Sequence, residues 1–310
     1  MLQSGDRLSC PPPICADNPM IERFGTFLEM IKFEHTVFAL PFAYLGMVLA
    51  ADGLPALDIF LWITIAMAAA RTVGMAANRL ADRRLDAANP RTAKRPLVSG
   101  RISPLTALTG LVIALAVMAL AAAQLGPLPL RLLPGALVFL FGYPFTKRFT
   151  VLSHLVLGAT DGLAPLGAWA AVRGSLFTAA DLPAWLLFAL VTSWIGGFDL
   201  IYACQDVAFD RAARLHAVPA RYGVTAALRL SAVMHALTSV LLVMLGLLLA
   251  LGWPYWLGVI ISLGLLAYEH AIVRPDDLSR LDLAFFNING IISLTLFAAT
   301  LAAVLVPNAF

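Results

Sequence analysis

A series of apolar runs, broken by short charged loops, limits this chain to one kind of fold. Nine runs stand out, at residues 36–52, 57–80, 104–125, 130–146, 152–172, 183–205, 223–251, 253–273 and 283–306. A helix needs about 20 apolar residues to cross a hydrocarbon core about 30 Å thick. Inside that core every backbone N–H and C=O must be satisfied within the chain, which leaves helices or a closed barrel. A barrel would show short alternating segments, and these runs are continuous. Composition agrees: 61% of the residues are hydrophobic and 13% charged, against about 45–50% and about 25% in soluble domains. The expectation is an all-α membrane protein of nine transmembrane helices.

Residues 1–18 hold Pro11, Pro12 and Pro13 and no periodic apolar pattern. They read as a flexible tail, and the lack of an apolar stretch argues against a signal peptide. Residues 19–310 form the membrane domain. Its first part, 19–35, mixes apolar residues with Glu22, Arg23, Glu29, Lys32, Glu34 and His35, the pattern of an interfacial amphipathic helix. Alternate loops carry most of the basic residues. Arg79, Arg83, Arg84, Arg91, Lys94, Arg95 and Arg101 follow the second run, whereas the opposite loops hold only Arg131 and Arg173. By the positive-inside rule the N-terminus and the basic loops are cytoplasmic. Three cysteines make no disulfide framework, and nothing in the sequence points to nucleic acid.

The second run ends in a polar stripe. Asn78, Asp82 and Asp86 recur every four residues, so on a helix they share one face over about 12 Å. Tyr202, Asp206 and Asp210 repeat the pattern at the end of the sixth run. Carboxylates at the end of a membrane helix are costly unless they pair or bind a cation. One such stripe also fits a solvated helix end paired with neighbouring arginines. A second copy at the same depth favours a shared site for Mg²⁺, a hard cation held by one or two carboxylates plus substrate phosphates.

Other polar residues group around these stripes. Arg71 lies two turns deeper on the first stripe's helix, where it either snorkels to the interface or faces an anion in a polar cavity. The loop Asn89-Pro90-Arg91-Thr92-Ala93-Lys94-Arg95 is basic. Plain membrane anchoring explains its sign, but guanidinium forks beside carboxylates also suit a diphosphate, for Arg95 in particular. Tyr143, Lys147 and Arg148 close the fourth run, as anchors or as diphosphate partners. Asp199 reads as a second-line partner and Asp161 as a mate for Arg71. His35 reads as an interfacial residue. His235, Glu269, His270, Asn287 and Asn289 are the polar exceptions in an otherwise greasy last third.

A Mg²⁺-bound diphosphate at the mouth of an apolar bundle points to an allylic prenyl diphosphate. Cations stabilise the departing pyrophosphate, where charge develops, and a dry cavity protects the allylic cation. At this point several segments, in order, resemble the UbiA superfamily of intramembrane prenyltransferases. They are Arg71-x-x-Gly74-x-x-x-Asn78-x-x-x-Asp82-x-x-x-Asp86, Thr92-Ala93-Lys94-Arg95-Pro96-Leu97, Tyr143-Pro144 with Lys147-Arg148, and Tyr202-x-x-Gln205-Asp206-x-x-x-Asp210. The resemblance implies nine helices around a central cavity with a cytoplasmic-side active site in a bacterial-type inner membrane. It implies that Asn78, Asp82, Asp86, Asp206 and Asp210 hold Mg²⁺-diphosphate, with diphosphate roles for Lys147 and Arg95 and supporting roles for Tyr143 and Tyr202. It further implies a polyprenyl diphosphate donor and a small aromatic acid acceptor, whose carboxylate Arg71 would meet. Within the superfamily the chain most resembles the 4-hydroxybenzoate polyprenyltransferases of ubiquinone synthesis. Arg79 stands where many of those have Asp, and Ile31–Phe42 resembles a branch that prenylates a dihydroxynaphthoate for menaquinone by the futalosine route. A transporter is the rival from another class, because intramembrane Asp and Arg also mark ion paths.

Overall fold

The computed structural model describes residues 19–32 and 36–306. The expected tail at 1–18, and Glu34 and His35, lie outside the described residues. The fold is all-helical. Helices α1 (Pro19–Met30), α2 (Thr36–Ala51), α3 (Leu57–Ala88), α4 (Pro104–Gln124), α5 (Pro127–Thr146), α6 (Ser153–Arg173) and α7 (Leu182–Tyr202) come first. Short α8 (Val207–Ala212) and α9 (Val218–Tyr222) follow, then α10 (Val224–Leu248), α11 (Trp253–Ile272) and α12 (Asn289–Leu305). Among the described residues, eight helices are long and apolar enough to cross a membrane. The first expected span is the 16-residue α2, shorter than those eight, so nine full-length spans are not what the described residues show.

Other details of the helices differ from the expectation. The interfacial helix expected over 19–35 ends at Met30 in a turn. The second span continues eight residues past Leu80, so Asn78–Asp86 is wholly helical. Cations from other elements meet its carboxylates. The last span begins with a π-helical segment, Leu283–Ile288, before α12.

Local sequence sets the helix starts. Pro104, Pro127, Pro183 and Pro254 stand in first turns, where proline's missing N–H costs nothing. Ser103 caps α4 by accepting from the Thr106 N–H at 3.0 Å.

Contacts run from α3 through α5, α6, α7, α10, α11, α12 and α2 back to α3, so the bundle closes on itself. Lipid tails are as apolar as side chains, so such helices associate by close packing rather than by a hydrophobic drive. The α6–α7 seam shows it. A Cβ on Gly158 would stand 2.2 Å from the Thr192 carbonyl oxygen. On the α2–α6 seam a Cβ on Gly46 would stand 2.4 Å from the Pro165 oxygen. The core here holds Phe42, Trp169, Leu187, Leu190 and Trp194, all buried.

Candidate active site

Both acidic stripes face one cavity of about 610 Å³. Asn78, Asp82 and Asp86 reach it from α3. Asp199 and Tyr202 come from α7, Asp206 from the 3₁₀ turn Ala203–Asp206, and Asp210 from α8. Arg71, Arg95, Tyr143 and Lys147 also line it. Arg148 does not. Its guanidinium lies over the Phe145 ring and donates to the Ala81 carbonyl oxygen at 2.7 Å.

Asp82 is 2% exposed. It accepts from Lys147 Nζ, and from Arg148 Nη2 at 3.0 Å. Asp86 accepts Arg95 Nη1 on both oxygens, at 2.6 and 2.7 Å. Thr92 Oγ1 donates to the Asp86 carbonyl at 2.9 Å, which folds the basic loop back over the end of α3. Asp206 is met from the same loop. Asn89 Nδ2 and Arg91 Nε each donate to its Oδ1 at 2.9 Å, and Arg91 Nη2 donates to Oδ2. Arg91 Nη1 also donates to the Tyr202 hydroxyl at 3.2 Å. Burial opposes the Arg91 charge, but Asp206 and Tyr202 outweigh it and raise the guanidinium pKa.

The deeper part of the cavity is aromatic. Trp194 packs on Phe42 with centroids 4.6 Å apart, and edge-on to Phe198 at 5.1 Å. Arg71 Nη1 is 4.0 Å from Asp161 Oδ1, the pairing expected from the sequence. Tyr143 Oη donates to the Gly74 carbonyl at 3.4 Å. Asp199 Oδ2 is 2.6 Å from His154 Nδ1, and His154 Nε2 accepts the Val218 N–H at 3.4 Å. Nδ1 therefore carries the donated proton in the neutral ring.

Asn89, Arg91, His154 and Trp194 escaped the sequence reading as site residues. Asn89 and Arg91 belong to the loop the reading marked as basic, but loop residues have no periodicity to reveal their partners. Nothing in the sequence signals His154. Arg79, the odd letter of the first motif, is buried, and its Nε donates to the Met30 carbonyl at 3.3 Å. It ties α1 to α3.

Among the described residues no three His, Cys, Asp or Glu side chains converge as a ready metal site. The donors facing the cavity are hard oxygens, and they come in ones and twos. That fits a cation whose shell is completed by substrate phosphates rather than an all-protein cage.

The UbiA prenyltransferase family pattern matches residues 39–291. The chain belongs to the UbiA prenyltransferase family. It is 30% identical over 259 residues to the 4-hydroxybenzoate octaprenyltransferase of Pseudoalteromonas translucida, covering 83% of this chain and 86% of that relative. A UbiA homologue from Aeropyrum pernix K1, solved in its apo form, superposes with TM-score 0.79 at 33% identity, covering 86% of this chain and 96% of that one. A UbiA homologue from Archaeoglobus fulgidus, solved bound to DMAPP and Mg²⁺, shares the fold with TM-score 0.68 at 19% identity, covering 90% and 99%. This UbiA chain is a prenyltransferase, and its apolar helices make it a multi-pass membrane protein.

Proposed function

We propose that the chain transfers a polyprenyl group from its diphosphate to a ring carbon of 4-hydroxybenzoate, a step of ubiquinone synthesis. The observation that carries this reading is the crossing of Asn89 and Arg91 onto Asp206, which puts two acidic stripes and a basic loop on one cavity with an aromatic interior. The name of the Pseudoalteromonas relative supports the acceptor.

Mg²⁺ would be held by Asn78, Asp82, Asp86, Asp206 and Asp210, with substrate oxygens completing its shell. When bound it supplies charge stabilisation for the leaving diphosphate. Arg91, Arg95 and Lys147 turn from their carboxylates to the diphosphate oxygens. The C–O bond breaks and its electron pair leaves with the diphosphate. Trp194, Phe198 and Phe42 present ring faces to the allylic cation and keep water from it. Arg71 holds the acceptor's carboxylate. A ring π pair forms the new C–C bond, and the displaced ring proton passes to Asp199, which His154 orients. The prenyltransferase domain comprises residues 19–310, and its active-site loops face the cytoplasm across an inner membrane.

Purified protein is incubated with geranyl diphosphate, Mg²⁺ and 4-hydroxybenzoate. Pyrophosphate release should need both metal and acceptor, and mass spectrometry should find a C-prenylated product. Full activity after Asp82→Ala or Asp206→Ala would sink the site assignment. Ion flux in liposomes without a prenylated product would establish the transporter instead.

A further inference from the structure

Beside the cavity wall His235, Glu269 and Asn289 are buried and His270 is half-buried, on helices that are mostly apolar. Glu269 on α11 is 0% exposed and His235 on α10 is 2% exposed. His235 Nε2 donates to the Trp194 carbonyl at 3.2 Å, and its Nδ1 shares a hydrogen bond with His270 Nε2 at 2.9 Å. His235 Nδ1 is 3.8 Å from Glu269 Oε2, an oxygen with no hydrogen-bond partner among the described residues. Glu269 Oε1 accepts Asn289 Nδ2 at 3.2 Å, and the same amide nitrogen donates to the Ala284 carbonyl at 2.9 Å, inside the π-helical segment.

Groups of this kind are expensive in a membrane bundle, and the transfer steps above use none of them. Their two ends fall in the cavity wall. Trp194 lines the cavity from α7, and Phe286, Asn289 and Gly290 line it from the π segment and α12. The contact with α7 is close: a Cβ on Gly197 would stand 2.4 Å from His235 Cδ2. Between the Trp194 carbonyl and Asn289 thus stand His235 and Glu269, in contact at 3.8 Å with no hydrogen bond between them.

We propose that Glu269 and His235 are positioning residues that set the separation of Trp194 and Asn289, and through it the choice of aromatic acceptor. The inference rests on the prenyl-transfer reading above. Trp194 lies eight residues before Tyr202 on α7, about 12 Å deeper than the diphosphate end, and Arg71 lies seven before Asn78, about 10 Å deeper. An acceptor whose carboxylate meets Arg71 therefore places its ring at the Trp194 wall. Hydrocarbon walls alone discriminate weakly between rings of different size, so a fixed wall matters more than its chemistry.

The test offers 4-hydroxybenzoate and 1,4-dihydroxy-6-naphthoate separately to the wild type and to His235→Phe, Glu269→Leu and Glu269→Gln, with geranyl diphosphate and Mg²⁺. In His235→Phe and Glu269→Leu the ratio of kcat/KM for the two acids should move by about tenfold or more, while KM for geranyl diphosphate stays unchanged. Glu269→Gln keeps an oxygen for Asn289 and should retain the wild-type ratio. Where a variant fails to fold, His235→Asn replaces it, and its ratio should move in the same way. Unchanged ratios in every folded variant, or equal losses for donor and acceptors, overturn the proposal and leave the prenyl-transfer reading standing. A wild type that releases no pyrophosphate with either acid overturns both.

Discussion

Arg91 grips Asp206 with two of its nitrogens although 115 residues separate them. The loop that follows the first acidic stripe is thereby the partner of the second. Removing the fork leaves Asn89 as the hydrogen-bond partner of Asp206 among the described residues. Arg91→Ala should cost about 10- to 100-fold in kcat/KM for the diphosphate, the scale of a hydrogen bond to a charged group. Arg91→Lys should recover little, because an ammonium cannot make the paired contact. Steady-state kinetics with varied geranyl diphosphate measures both.

Asp82 faces two cations from the end of α5, and it is almost wholly buried. Asp82→Ala leaves Lys147 and Arg148 facing one another without their counter-charge. The variant should lose activity by at least about 100-fold, while the thermal midpoint should fall only modestly, since both cations left behind are a third or more exposed and solvent screens them. Asp82→Asn should lower the midpoint less while remaining inactive. A thermal shift assay beside the activity assay separates the two effects.

Asp82, Asp86 and Asp206 already carry cations from the chain itself. Mg²⁺ alone should therefore shift the thermal midpoint little, and pyrophosphate alone should shift it little. Together they should raise it, because each completes the other's coordination. Chelation should abolish pyrophosphate release, and added Mg²⁺ should restore it.

Glu29 and Arg101 form two hydrogen bonds of 2.7 Å and fasten α1 to the loop before α4. The Arg101 guanidinium holds the Glu29 carboxyl below its ordinary value. The folded pKa is the depressed one, so the tie is fully present above the unfolded pKa and is lost as pH falls through the folded pKa. Glu29→Gln should speed hydrogen exchange in α1 at neutral pH. The difference from wild type should shrink in acid.

Gly158 sits where α6 and α7 touch backbone to backbone. Gly158→Val should destabilise by about 1–3 kcal/mol through overpacking, read as a lower midpoint in detergent. Gly167 has open space where a Cβ would stand, so Gly167→Ala should be nearly silent in the same assay.

The parts legible in the sequence were those that repeat. Apolar runs gave the helices. The four-residue spacing of Asn78, Asp82 and Asp86, echoed by Tyr202, Asp206 and Asp210, marked one face on each of two segments, and both reach the same cavity. What stayed hidden depends on rotation and loop path. Arg91 looked like one of many basic anchors, since its reach to Asp206 depends on how the loop turns back at Thr92 and Asn89. Trp194 looked like an ordinary core residue of a membrane helix. Arg79 hinted at substrate choice from its place beside Asn78, yet it bonds the last carbonyl of α1.

The π-helical segment before α12 has a consequence for how this chain compares with its relatives. A π turn spends one residue more than an α turn. A sequence one residue shorter between Leu283 and Ile288 would wind as ordinary α-helix, with the residues on either side of the deletion keeping their faces. Only the wide turn itself, where Phe286 lines the cavity, would close up. A single-residue gap in an alignment at this point is therefore a change in the shape of the pocket wall, not a neutral trim of a loop.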